Sequence, residues 1–348
     1  MVAAGETDAA VYLALASACG GLGDYRAALA AIDQVLSRQP RHVRALIIKA
    51  DQLVAAGDER AASSFYRAAV QSAPPPHEMP AELRDEVARA DAMCARYAAA
   101  FEAHLRARLP VREGSRFSES IDILAGRKRA YFQAPRQYFF PGLPQIQFYE
   151  RSAFPWLEGL EAATGEIRAE LLQVLSEDNA FQPYVQRSSR LPHTDAQGLL
   201  DNPAWSAYYL WKHGALVQEN AARCPKTVAA MAGVPLAMVK NRSASVLFSL
   251  LRPGAHIPPH TGEVNTRLIC HLPLIVPENC HLRVGNDTRR VVEGKAWVFD
   301  DTIEHEAWNG SRETRVILLF EIWRPELSAD ERATVSAMFE AIDAYGAG

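Results

Sequence analysis

Between Ser243 and Trp323 the chain reads as a succession of short β-strands, and this limits its possible folds more than any other feature. Val246–Leu251, Arg267–Val276, His281–Val284, Ala296–Phe299 and Arg315–Trp323 are apolar or alternating runs, each bounded by Gly, Pro, Asn or Asp. Several such strands within about 80 residues require a sandwich or a barrel, and a jelly roll is one of the standard solutions.

The N-terminal part has another period. Gly23-Asp24-Tyr25 recurs as Gly57-Asp58-Glu59 and Pro40 as Pro74, both at an offset of 34 (57−23 and 74−40). At the same offset Ala27 maps onto Ala61, Ile32 onto Tyr66 and Leu36 onto Val70. A helix, a Gly-Asp turn, a second helix and a closing Pro at this period resemble the tetratricopeptide repeat. Small alanines let paired helices approach, Gly permits the turn, and Pro ends the second helix. The alternative is two unrelated helical hairpins. Residues 80–109, rich in Ala, Glu and Arg, read as a long capping helix.

Residues 110–150 crowd Tyr131, Phe132, Tyr138, Phe139, Phe140 and Phe148 among prolines and read as an extended segment packed on something larger. Phe154-Pro155-Trp156 opens a helical pattern to about Leu175, and residues 181–242 show little regular period. The expectation is an α+β multidomain chain. Residues 1–110 form a tetratricopeptide-like helical region with a capping helix. Residues 111–348 form a double-stranded β-helix (jelly-roll, cupin-like) domain with flanking helices.

Charge narrows the function. A formal charge of −4 and a pI near 6.2 leave no footprint for nucleic acid, and the single basic run, Arg127-Lys128-Arg129, reads as a solvated turn. No run reaches the roughly 18 apolar residues of a membrane span. Ala9–Gly20 mimics a signal-peptide core, but Glu6 and Asp8 stand where a basic region belongs. Cys19, Cys94, Cys224, Cys270 and Cys280 are odd in number and scattered, which fits a reduced, cytoplasmic setting.

Histidines cluster in the strand region: His256, His260, His271 and His281, with His305 close behind. His260 lies in Pro258-Pro259-His260-Thr261-Gly262, and His305 follows Asp300-Asp301-Thr302-Ile303-Glu304. Both fall at strand edges, where a jelly roll opens towards its cavity. Imidazole suits iron and zinc alike, and a pair with open positions suits an iron that also holds a cosubstrate and oxygen.

Three blocks carry a sharper resemblance: Phe248–Gly262 with its Arg-Pro-Gly and His-Thr-Gly elements, Asn265–Leu274, and Gly294–Asn309, followed by Arg315 and Trp323-Arg324-Pro325. Leu210-Trp211 and Glu219–Thr227 match upstream. These residues resemble the aspartyl/asparaginyl β-hydroxylase family, over about Phe140 to Pro325. The resemblance makes 111–348 a catalytic domain and implies an Fe(II)/2-oxoglutarate-dependent dioxygenase that uses O2. His260 and His305 would bind iron, with Gly262 where the carboxylate of the common triad would stand. Asp301 would orient a water or a ligand histidine. Arg315 and Ser249 would hold the distal carboxylate of 2-oxoglutarate, His271 would contact its chelating end, and Arg267 would meet the substrate. The uniformly apolar Val316–Phe320 beside Arg315 points its side chain inward, and a buried Arg needs an acidic partner.

One departure concerns the substrate. Ile269 stands two residues before His271, where family members carry a second arginine, so asparagine, a free amino acid or a modified peptide competes with aspartate; a peptide natural product or a lipid is a further alternative substrate. Arg283 or Arg289 from nearby strands would be the replacement cations, and Glu263 the nearest acid to restore a third ligand. The implied reaction hydroxylates a Cβ with release of succinate and CO2. The helical repeats suggest a peptide or protein partner. The competing readings are a zinc hydrolase, a non-catalytic jelly roll and a tetratricopeptide adaptor.

Overall fold

The computed structural model describes residues 8–177, 180–187 and 198–345. It divides into two compact units, Met1–Lys128 and Arg129–Gly348.

The first unit is helical: α1 (Ala9–Gly21), α2 (Tyr25–Arg38), α3 (Val43–Ala55), α4 (Glu59–Ser72), α5 (Ala81–Arg108) and α6 (Arg116–Leu124). Helices α1 and α2, and α3 and α4, form two hairpins. Gly23 and Gly57 turn the chain in the left-handed region at φ 79° and 85°, where a side chain would be strained. The next residue then caps the following helix: Asp24 accepts from the Ala27 amide at 3.0 Å and Asp58 from Ala61 at 2.9 Å. The repeat offset survives in the packing, because Ala28 and Ala62, Ile32 and Tyr66, and Val35 and Ala69 are all buried. Helix α5 lies on the second hairpin, with Arg89 gripping Asp51 through two bonds of 2.8 Å.

The chain after 110 is not extended at once. Ser115 caps α6 by accepting from the Ser118 amide at 3.1 Å, and Arg106 on α5 reaches Asp122 on α6 at 2.9 Å. These bonds hold α6 to the helical unit, so the units divide at Lys128/Arg129 rather than at 110/111. In the basic run, Arg127 reaches Glu102 at 2.7 Å and Lys128 reaches Asp122 at 3.6 Å.

The second unit is a two-sheet jelly roll. Its strands are β1 (Gln182–Pro183), β2 (Trp205–Lys212), β3 (Ala215–Leu216), β4 (Val246–Leu251), β5 (His256–His260), β6 (Arg267–Ile275), β7 (Cys280–Val284), β8 (Asp287–Arg290), β9 (Trp297–Phe299), β10 (His305–Asn309) and β11 (Arg315–Trp323). One sheet runs β1-β2-β4-β11-β6-β9, with β3 on β2, and the other runs β5-β10-β7-β8. Helices α7 (Leu157–Ala162), α8 (Thr164–Leu175), α9 (Gln218–Arg223) and α10 (Pro225–Met231) follow the chain around the larger sheet, and α11 (Ala329–Ala344) ends it. Tyr131–Phe148 runs as an extended segment along the second unit. Its Ala134 and Arg136 amides donate to the carbonyls of Thr302 and Gly262.

Both faces of the large sheet are buried, so its central strands read as continuous apolar runs although they alternate. On β11, Val316, Leu318, Phe320 and Ile322 join the core beneath the α7 and α8 leucines. Arg315, Ile317, Leu319 and Glu321 face the other way, into the space between the sheets. Strand β6 does the same with Arg267, Ile269 and His271, and β4 contributes Ser249. Period-2 geometry thus delivers every polar inward residue to one cavity.

Candidate active site

The cavity between the sheets has a volume of ≈ 620 Å³ and is lined by Ser249, His260, Arg267, His271, Asp301, His305 and Arg315 together. Its other walls include Tyr184, Trp205, Ile257, Ile269, Phe299 and Leu319.

His260 and His305 are direct cross-strand partners on β5 and β10, with ring centroids 4.1 Å apart. A bulge makes this possible. Ile257 pairs with Ala307 and His260 with His305, so three steps on β5 oppose two on β10. The extra residue lets Ile257 and His260 both face inward, and it falls at Pro258-Pro259, two residues that have no amide to lend to a ladder. Each imidazole is then fixed by the same local device. His260 Nδ1 donates to the Pro258 carbonyl at 2.8 Å and His305 Nδ1 to the Ile303 carbonyl at 3.1 Å. A carbonyl only accepts, so Nδ1 carries the proton and Nε2 keeps its lone pair. Burial lowers the pKa of His260, and burial with the neighbouring His260 takes His305 well below the ordinary histidine value. Both rings are therefore neutral near pH 7, the form that binds a metal.

Arg315 stands at one end of the inward row on β11. It is buried, its Nε has no hydrogen-bond partner, and among the described residues no carboxylate pairs with it. Burial pushes its pKa down to about 10. Beside it, His271 is held well below the ordinary value by burial and then by the Arg315 charge. Ser249 accepts from the Trp205 indole at 3.1 Å, which leaves the hydroxyl hydrogen to donate into the cavity.

The opposite end holds Arg267, Asp301 and Glu321. Arg267 Nη1 donates to Asp301 Oδ2 at 3.1 Å, and Arg267 Nε lies 3.4 Å from Glu321 Oε1. Burial, opposed by Arg267, still pushes Asp301 up to about 6. A Cβ placed on Gly262 would sit 2.1 Å from Asp301 Oδ2. Asp301 thus occupies the space that any side chain at 262 would need.

Several sequence candidates lie elsewhere. His256 pairs with Glu306 at 2.8 Å, and His281 stacks on Trp308. Neither is among the residues lining the cavity. Arg283 bonds Glu304 and Glu306, and Arg289 bonds Asp287, so neither replaces the arginine absent at 269. Glu263 lines the cavity mouth but is bonded to Arg136. Among the described residues no three His, Cys, Asp or Glu side chains gather as a metal cluster. Sequence reasoning did not find Glu321 or the Tyr184–Trp205 stack. Glu321 is the one acid inside an otherwise apolar strand, and that was a usable signal.

Residues 161–325 match the family model for aspartyl/asparaginyl beta-hydroxylase, and all seven candidate residues fall within that span. This region belongs to that family. The chain is 35% identical over 180 residues to the ornithine lipid ester-linked acyl 2-hydroxylase of Rhizobium tropici, a match that covers 51% of this chain and 60% of that protein. It is 34% identical over 143 residues to human aspartyl/asparaginyl beta-hydroxylase, 41% of this chain and 19% of that protein. It is 31% identical over 215 residues to aspartate beta-hydroxylase domain-containing protein 2 of Xenopus tropicalis, 61% of this chain and 56% of that protein. The chain thus spans less than two thirds of each of these relatives. No described helix is long and apolar enough to cross a membrane.

Proposed function

We propose that this hydroxylase is an Fe(II)- and 2-oxoglutarate-dependent dioxygenase that hydroxylates an Asp/Asn-type residue of a peptide or protein at Cβ. One observation carries the reading: a buried guanidinium without a carboxylate among the described residues shares a cavity with two imidazoles whose Nε2 atoms are unprotonated. Keeping an unpartnered cation in a fold costs stability unless an anion completes it. The residues fit the groups this chemistry needs. His260 and His305 would hold iron. Arg315 would take the distal carboxylate of 2-oxoglutarate through paired hydrogen bonds, with Ser249 donating beside it and His271 at the chelating end. When bound, iron, 2-oxoglutarate and O2 supply oxidative decarboxylation to succinate and CO2, coupled to hydroxylation of the substrate. Asp301, whose Oδ1 has no hydrogen-bond partner, would orient water or the substrate next to Gly262.

A second substrate reading has its own support. The walls at Tyr184, Val185, Leu199, Leu200 and Trp205 are largely apolar, and the Rhizobium relative is named for a lipid acyl chain. A zinc hydrolase would need a third protein ligand, and among the described residues the pair has none. The helical unit, with its tetratricopeptide-like hairpins, would recruit a protein partner or substrate, and a reduced cytoplasmic location would suit the unpaired cysteines.

His260→Ala and His305→Ala should each abolish iron binding and succinate release while the thermal melt stays cooperative. Full turnover in either variant would remove the assignment. Incubation with Fe(II), 2-oxoglutarate and candidate peptides, amino acids and lipids, read by mass spectrometry for one added oxygen, identifies the substrate.

A further inference from the structure

The reading above leaves Glu321, a charged residue of the cavity, without a role. Glu321 is the fourth inward position of β11, six residues from Arg315, so about 20 Å of strand separates the two ends of the cavity wall. Its cross-strand partner on β6 is Ile269. Glu321 Oε2 accepts from the Ser245 amide at 2.7 Å, which fixes the carboxylate, while Oε1 faces Arg267 Nε at 3.4 Å. Asp301 holds Nη1 of the same guanidinium at 3.1 Å. One buried cation is therefore shared by the buried Asp301 carboxylate and the partly buried Glu321 carboxylate. The other charged pair at this end, Arg136 with Glu263, is neutral in sum.

We infer that Glu321 sets the substrate class: this end of the cavity receives an uncharged hydrogen-bonding group, an amide or hydroxyl, and rejects a carboxylate. The inference rests on the hydroxylase reading. A substrate carboxylate would be the third acid around one guanidinium, in a site where unbalanced charge is costly. It would also find Nη1 and Nε engaged, so the paired geometry that makes an arginine–carboxylate contact strong is lost. An amide N–H meets no such conflict, because Asp301 Oδ1 lacks a partner among the described residues and can accept. Rejection by misplaced like charge is an ordinary source of specificity.

The test uses N-acetylated, C-amidated aspartate and asparagine as paired probes. Each is titrated calorimetrically into the full chain carrying Mn(II) and 2-oxoglutarate, and again into protein with neither. The wild type should bind the asparaginyl probe on the order of tenfold more tightly. Glu321→Gln should bring the ratio to about one or invert it. Ile269→Arg, which sets a cation across from Glu321, should shift the ratio the same way if the first variant folds poorly. A wild type that prefers the aspartyl probe overturns the inference. So does a ratio that moves in neither variant, or failure of all three proteins to bind either probe. Failure of the hydroxylase reading would look different. The wild type would then not bind 2-oxoglutarate, while the probe ratio in the metal-free arm would still report on Glu321.

Discussion

Arg315 opens β11 and Arg324 follows its last residue, and both side chains are buried, yet their surroundings are opposite. Arg324 Nη1 meets Asp300 and the Asn265 carbonyl at 3.0 Å each, and Nη2 meets the Pro144 carbonyl at 3.0 Å and the Tyr149 hydroxyl at 2.5 Å. Asp300 in turn accepts from Gln133 and from Thr302. The network stitches the extended segment, the end of β11 and the turn before His305 into one body. Arg315 has no carboxylate among the described residues. A buried cation whose bonds are supplied by the protein is scaffold, and one whose bonds are withheld fits the proposed role of a receptor for something anionic. Burial alone does not tell the two apart.

The comparison breaks if the two arginines behave alike. Arg324→Met leaves Asp300 buried without its cation and should cost about 3–5 kcal/mol in denaturant unfolding; wild-type stability in that variant would erase the distinction. Arg315→Met should leave the empty protein as stable as wild type or more so, while 2-oxoglutarate binding by calorimetry weakens by about 2–5 kcal/mol. Lost stability with unchanged cosubstrate affinity would make Arg315 a second Arg324.

A smaller effect separates Asp301 from its scaffold neighbour. Asp301 sits at about 6 against an ordinary 3.8, so the folded protein holds this proton more tightly than the unfolded chain. The resulting stabilisation is complete below about pH 4 and is lost as pH rises through about 6, a change of roughly 2–3 kcal/mol. Metal-free melts of wild type and Asp301→Asn should converge at low pH in slope and diverge between pH 4 and 7. Parallel curves would count against it. Smallest is the helical unit. Asp58→Ala removes a cap worth about 1 kcal/mol and should leave succinate release unchanged; a parallel loss of turnover would show that the first unit participates in the chemistry.

The sequence made the fold legible where strands were short and sharply bounded. Val246–Leu251 and Arg315–Trp323 have the expected limits. It was blind to β2, because Trp205–Lys212 mixes aromatic and polar residues over a strand that pairs on both edges. The position of Arg315 could be read from the apolar residues beside it. The two-carboxylate grip on Arg267 could not, since Asp301 lies in the turn between β9 and β10 and Glu321 on β11, both far along the chain from Arg267. The bulge that turns His260 inward was visible only as Pro258-Pro259, a pair of residues equally at home in a loop.

The contact between Gly262 and Asp301 also ties two positions of the chain together. A carboxylate introduced at 262 would enter volume filled by the Asp301 side chain, so Asp301 would have to move or shrink to admit it. Either change takes a partner from Arg267. Under the proposed iron reading, a third protein ligand at 262 would therefore be gained only at the expense of the Arg267–Asp301 pair.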